Sequence, residues 1–420
     1  MLKLQRVMFP ILDAALNGFN YFFHIYVSWH LLDIQYGKLN ALIALCTILF
    51  TAGVSIQMFT ARTLSDGEGI RRESLQAVRT IAGAAAVLYT GLFIGLFPLI
   101  GRLTRADGME ITIIALTLIT HLFLCIQRGI FQGQRRFLAM NISMYTEAGA
   151  KLLVLVLLLQ WFTDVFTVLL SIWIGMMASL LHGWMNNRDS RRLWFRKAEA
   201  SPPWREVSAA LLAIVCSQFF FYFFTSFDLM IVNYYLPEQS GSYAVIVRFG
   251  QLIVFVGMSL LTVLLPEFAA RKQDLGKLFS LLWKCIAFMM LLAFTAILLY
   301  QFAAPHVIPA LFGERYAVDA QLTMLSAVMY ASFTFASLFI YVNIALGRSR
   351  HLYYIGAVSA LLVVSLQLMH ANIAAVMIQE TAAFILLDLL LLLDLILYRW
   401  KVTRDEREEE NASILVLERH

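Results

Sequence analysis

Twelve apolar runs divide this chain, each long enough to cross a hydrocarbon core of about 30 Å. They cover residues 8–32, 38–62, 76–100, 110–130, 138–160, 165–186, 206–235, 241–266, 278–302, 319–346, 352–370 and 373–398. Lipid offers no hydrogen bonds, so segments that cross it must satisfy their own backbone, and helices do. The fold class expected is an all-α polytopic membrane protein with twelve transmembrane helices. Composition agrees: 60% of the 420 residues are hydrophobic and 14% charged, with a mean hydropathy of +0.75. The run that follows MLKLQR is too long for a signal-peptide core and lacks a small-residue cleavage site, so it reads as a retained first helix.

Lysine and arginine placement orients the spans. Of the 32, 26 lie on one side and four (Lys38, Arg102, Arg105 and Arg315) on the other, with Lys151 and Arg248 inside the membrane. Both termini are therefore expected in the cytoplasm. The longest inner loop, 186–204, is basic and ends in Pro202 and Pro203; Trp194 and Phe195 are placed on the headgroups. The tail, with its RDEREEE run, reads as disordered or weakly helical.

The two halves repeat. Gly37 and Gly241 each open the second span of a pair. Phe59-Thr-Ala-Arg62 ends span two and Phe268-Ala-Ala-Arg271 ends span eight. Gly133-Gln-Arg-Arg136 follows span four and Gly347-Arg-Ser-Arg350 follows span ten. Each match pairs span n with span n+6 on the same side, a parallel six-plus-six repeat. The organisation expected is an N-terminal six-helix lobe at 1–186, a basic cytoplasmic linker at 187–205, a C-terminal six-helix lobe at 206–398 and a cytoplasmic tail at 399–420.

Charges inside the spans are the candidate functional groups, because an ionised side chain in lipid costs at least about 2.5 kcal/mol and faces a partner or a wet cavity. Asp228 and Arg248 flank the turn 236–242 at similar depth, roughly 12 and 10 Å below it. Two readings stand: an ion pair that fixes the hairpin, or a charged site in a transport cavity. Glu147 and Lys151 share a helix face at i and i+4; they neutralise one another, or Lys151 faces a cavity and meets an anion. Glu380 and Asp388 share a face of span twelve and Asp394 lies near the inner surface. They are bundle-facing acids with polar partners, or an ion or proton path. His121 reads as a packing residue more readily than a proton relay, and Asp13 as wetted. Gly91-Leu-Phe-Ile-Gly95 is a GxxxG packing motif. The four cysteines lie inside apolar runs without CxxC spacing, the eight histidines lack HxxH spacing, and GxxxxGK[ST] is missing. No cofactor, metal or nucleic-acid partner is expected.

Several segments resemble a known family. Gln127-Arg-Gly-Ile-Phe-Gln-Gly-Gln-Arg-Arg-Phe137 and Glu147-Ala-Gly-Ala-Lys-Leu-Leu resemble the fourth-to-fifth helix region of bacterial polysaccharide exporters. Asp228 with Gly241-Ser-Tyr-Ala-Val-Ile-Val-Arg248 is similar to their seventh-to-eighth helix hairpin, and Leu265-Pro-Glu-Phe-Ala-Ala-Arg to the end of their eighth helix. Asn343-Ile-Ala-Leu-Gly-Arg and Ala371-Asn-Ile-Ala-Ala-Val-Met-Ile-Gln-Glu380 resemble helices ten to twelve. The superfamily joins oligosaccharide flippases, lipid II flippases and multidrug and toxin extruders. The resemblance implies two six-helix lobes around a central cavity, alternating access, and a glycan carried on undecaprenyl (pyro)phosphate in a bacterial cytoplasmic membrane. Membrane lipids are implied as surroundings, and a glycan polymerase or glycosyltransferases as further partners. On that reading Lys151 and Arg248 meet the phosphate, while Asp228 and Glu147 hold those bases when the site is empty. The alternative in the same superfamily is a cation-coupled extruder of small amphiphiles, using Glu380 and Asp388. A membrane enzyme needs catalytic groups on a sizeable outer loop; the largest here, APHVIPALFGERYAVD, offers one Glu, one Arg and one Asp.

Overall fold

The computed structural model describes residues 2–65, 72–186, 204–316 and 318–417, which form helices and turns without a strand. In chain order the helices are α1 (Leu2–His30), α2 (Asp33–Ser65), α3 (Arg72–Gly95), α4 (Phe97–Thr104), α5 (Gly108–Gly133), α6 (Phe137–Leu158) and α7 (Val165–Asn186). There follow α8 (Trp204–Phe224), α9 (Phe227–Tyr235), α10 (Ser240–Ala270), α11 (Leu275–Phe302), α12 (Ala304–Phe312), α13 (Ala320–Ala345), α14 (His351–Leu368) and α15 (Ile373–Leu417). The proposed headgroup residues Trp194 and Phe195, the 66–71 loop and the side chain of Asp13 lie outside the described residues.

Among the described residues, ten helices are long and apolar enough to cross a membrane, eleven if α8 and α9 count as one broken span. The expected first span, α1, is not among them. Its 29 residues suffice in length, but Asp13, Asn17, Asn20 and His24 recur at helical spacing and dilute its apolar run. Span seven bends by 42° between α8 and α9. The Thr225 hydroxyl donates back to the Phe221 and Tyr222 carbonyls at the break, a contact that competes with the helical ladder. Span three stops at Leu96 and restarts as α4 with Pro98 in its first turn, where a missing N–H costs nothing.

Contacts sort the chain into two compact units. Unit 1 holds Met1–Ala244 and Leu311–Tyr316; unit 2 holds Val245–Ala310 and Ala317–His420. The split falls inside α10, whereas the repeat boundary expected from sequence lies at 187–205. In unit 1, α5 is the central helix, packed by α2, α3 and α7. Small residues permit this approach: a Cβ on Gly129 would stand 2.7 Å from the Gln57 carbonyl oxygen, and one on Gly133 2.8 Å from that of Ala61. The working GxxxG is therefore Gly129–Gly133; at Gly91 and Gly95 a Cβ would meet nothing within 4 Å. In unit 2, α13 plays the same part against α11 and α15.

Spans four and ten are thus the two central helices, and their surroundings recur. Each is preceded by a short helix, α4 or α12. Each is capped by an aspartate: Asp107 accepts from the Glu110 N–H, and Asp319 from that of Gln321. Each is followed by a basic turn with a left-handed residue, Arg135 at φ 57° and Gly347 at φ 71°. The hairpin glycines recur as well. A side chain on Gly37 would overlap Ser240, and one on Gly241 would overlap Asp33.

Residues 311–316 are fastened to unit 1 by polar and ring contacts. Ser28 Oγ donates to the Phe312 carbonyl at 3.3 Å and Trp29 Nε1 to that of Leu311 at 2.6 Å. Arg315 donates to the Ser28 carbonyl, and the Tyr36 and Tyr316 rings meet edge to face at 5.8 Å. Burial raises the Tyr316 phenol above its ordinary pKa, opposed in part by the Arg315 charge. The tail, expected to be disordered or weakly helical, is helix through Leu417. Its charges are spaced for helical pairing, as in Arg404 Nε to Glu408 at 3.2 Å.

Candidate functional site

In unit 1 the candidate charges sit on α6 and in the first turn of α9. Glu147 Oε2 accepts from Arg128 Nη2 at 2.6 Å. Arg128 Nε also donates to Ser143 Oγ, which meets Ser179 Oγ at 2.8 Å. Arg128 was counted with the inner-side cations; it is 9% exposed and belongs to this buried network. Lys151, half-buried and one turn beyond Glu147, donates to Asn20 Oδ1 at 2.7 Å and lies 4.4 Å from the Phe23 ring centroid. Its position is held by close helix approach, since a Cβ on Gly175 of α7 would stand 2.7 Å from the Glu147 carbonyl oxygen.

Asp228 is 1% exposed. It stands in the first turn of α9, where the span has just broken, and a helix N-terminus favours negative charge. Tyr243 Oη donates to its Oδ2 at 2.7 Å. In unit 2, Arg248 is half-buried and donates from Nη1 to Gln251 Oε1 at 3.0 Å. Glu380 is 2% exposed on α15. Asp388, two turns on, is half-buried and its Oδ1 has no hydrogen-bond partner among the described residues. Asp394 is claimed by the basic turn after α13: Arg348 Nη2 donates to it at 2.5 Å and Tyr354 Oη at 3.4 Å. His121 packs, stacked on Phe50 at 3.8 Å and beside Cys125 Sγ at 3.4 Å. Among the described residues no group of three or more His, Cys, Asp or Glu is arranged to hold a metal.

Sequence reasoning missed Asn20, Phe23, Tyr243, Gln251 and the role of Arg128. One signal was available: the four-three-four spacing of Asp13, Asn17, Asn20 and His24 marks a polar face on α1. Chemically, unit 1 offers Lys151, which donates to the Asn20 amide, and the buried Asp228; unit 2 offers Arg248, which donates to the Gln251 amide, with Glu380 and Asp388.

A family model described as "Polysaccharide biosynthesis protein" matches residues 35–321, more than half of the chain. The chain belongs to that family. Comparison with curated protein sequences gives no match to this chain. Solved structures match it in fold. An inward-facing multidrug resistance MATE family transporter of the MOP superfamily is 12% identical, with a TM-score of 0.74 over 91% of this chain and 94% of that one. The lipid II flippase MurJ, in an inward closed conformation, is 13% identical, with a TM-score of 0.72 over 92% of this chain and 87% of that one. A MOP superfamily transporter from Pyrococcus furiosus is 14% identical, with a TM-score of 0.62 over 92% and 94%.

Proposed function

We propose that this protein is a flippase that moves lipid-linked oligosaccharide or polysaccharide precursors from the cytoplasmic to the outer leaflet by alternating access. One observation carries the reading: a polysaccharide biosynthesis family match coincides with a fold shared with transporters, one of them a lipid II flippase. The substrate proposed is a glycan on undecaprenyl phosphate or pyrophosphate. The protein then lies in the bacterial cytoplasmic membrane with both termini inside, organised as lobes 1–186 and 206–398 joined by the 187–205 linker.

Lys151 and Arg248 are the proposed phosphate contacts. Each donates to a side-chain amide, Asn20 or Gln251, which a phosphate oxygen can replace as acceptor with gain of charge assistance. Glu147, held by Arg128, lies one turn from Lys151, and Asp228 is held by Tyr243. Removing a countercharge from a pyrophosphate in low dielectric is costly, so Lys151→Ala and Arg248→Ala are expected to abolish surface glycan at equal expression. Full glycan export with both bases replaced would overturn the assignment.

Asp388 favours a second reading, the cation-coupled extruder, because its buried oxygen lacks a hydrogen-bond partner among the described residues. On that reading Asp388→Asn and Glu380→Gln abolish drug resistance while the two alanine variants are tolerated. Scoring all four variants for surface glycan and for drug resistance separates the two.

A further inference from the structure

Within unit 2, α10, α11 and α13 leave a cavity of about 290 Å³. Leu252, Val256, Met289, Ala296 and Ala331 are among its walls, which are almost wholly apolar. The space opens at the protein surface, where Val256 and Leu299 are exposed, so an apolar chain can enter it from the side. At roughly 30 Å³ per water-sized group, the space takes about ten carbon-sized groups. Gly257 lets α10 lie against Thr334 of α13, and alanines on α11 and α13 keep the remaining space open.

Arg248 sits one turn before the first cavity residue of α10, Leu252, and two turns before Val256, so the three share a helix face. At that same level the Tyr300 hydroxyl donates to the Phe249 carbonyl at 2.6 Å, tying α11 to α10. One face of α10 therefore runs from a half-buried guanidinium into an apolar slot, about 12 Å from Arg248 to Val256. That pattern complements an anionic head followed directly by a hydrocarbon chain. The volume suits one chain of about ten carbons, two isoprene units, and not the paired chains of a bilayer phospholipid.

We propose that this cavity binds the head-proximal end of the isoprenoid chain of the carrier lipid, with the lipid phosphate at Arg248. The proposal rests on the flippase reading and locates the part of the substrate that stays in hydrocarbon. It makes Ala296 and Ala331 specificity determinants, because their small size leaves the slot open.

The test uses the purified full chain in detergent, titrated with undecaprenyl phosphate, undecaprenol and phosphatidylglycerol and read by native mass spectrometry. Ala296→Phe fills the slot; Ala287→Phe, exposed on α11, is the control. A second route, Ala296→Cys alkylated with benzylmaleimide after folding, fills the slot without asking the chain to fold around the ring. Expected is at least a tenfold loss of affinity for both isoprenoids on filling, with no change in the control. Arg248→Gln should weaken only the phosphate, bringing it level with the alcohol. Undecaprenyl phosphate binding that survives filling yet falls with Arg248→Gln overturns the slot and leaves the flippase reading intact. Equal loss of phosphatidylglycerol and undecaprenyl phosphate on filling overturns it too, by making the slot a seat for any acyl chain. Wild-type protein that binds undecaprenyl phosphate no more tightly than phosphatidylglycerol defeats the flippase reading itself.

Discussion

Glu147 accepts from Arg128 at 2.6 Å, and Lys151, one turn further along the same helix, donates to Asn20. Two adjacent charges on α6 thus have partners on different helices, α5 and α1. The acid–base spacing visible in the sequence positions both groups on one face, yet each is held by a residue more than a dozen positions away in the chain.

Removing Glu147 strands a buried guanidinium. Glu147→Ala should cost about 3 kcal/mol, while replacing both partners with apolar residues, Arg128→Met with Glu147→Leu, should cost much less. Thermal unfolding of the two singles and the double in detergent checks this; singles that add to the double would show no coupling.

Tyr243→Phe deletes one hydrogen bond to the buried Asp228 carboxylate and should destabilise the protein by about 1.5–3 kcal/mol. Asp228→Asn with Tyr243 intact should cost less, since the amide oxygen still accepts. The comparison of melting temperatures fails the idea if the phenylalanine variant is silent.

Gly129 and Gly91 should respond in opposite directions to the same change. Gly129→Ala drives a methyl toward the Gln57 carbonyl and should cost about 1–3 kcal/mol. Gly91→Ala meets open space and should be neutral or slightly stabilising, as alanine is the better helix former.

Orientation is checked by labelling in intact cells. Glu314→Cys, exposed between two buried aromatics, Phe312 and Tyr316, should react with an impermeant maleimide. Arg196→Cys should react only after lysis. Reaction of the latter in intact cells would reverse the topology.

The helices were legible because apolar run length is a one-dimensional signal, and the recurring turns because glycines and basic residues follow in the same order in both halves. Where helices break was less so. The Leu96 stop follows from Pro98, but the Thr225 break depends on hydroxyl-to-carbonyl bonds that many unbroken helices also contain. Partner choice inside the membrane was least legible. Arg128 looks like an inner-surface cation until α6 is laid beside α5, and Asn20 gains meaning only when α1 meets α6. The apolar cavity is invisible in sequence, since alanines that leave space look like alanines that fill it.

Gly37 faces Ser240 and Gly241 faces Asp33, so each glycine lies against the residues that open the other's helix. Such a reciprocal patch is the signature of an isologous contact, in which one surface serves both partners. One small residue at each position closes its own side of the corner, and neither glycine can make room for a side chain at the other. The two positions are 204 residues apart and mutate independently. A side chain gained at either one collides with the start of the opposite helix, so the corner tolerates change at neither.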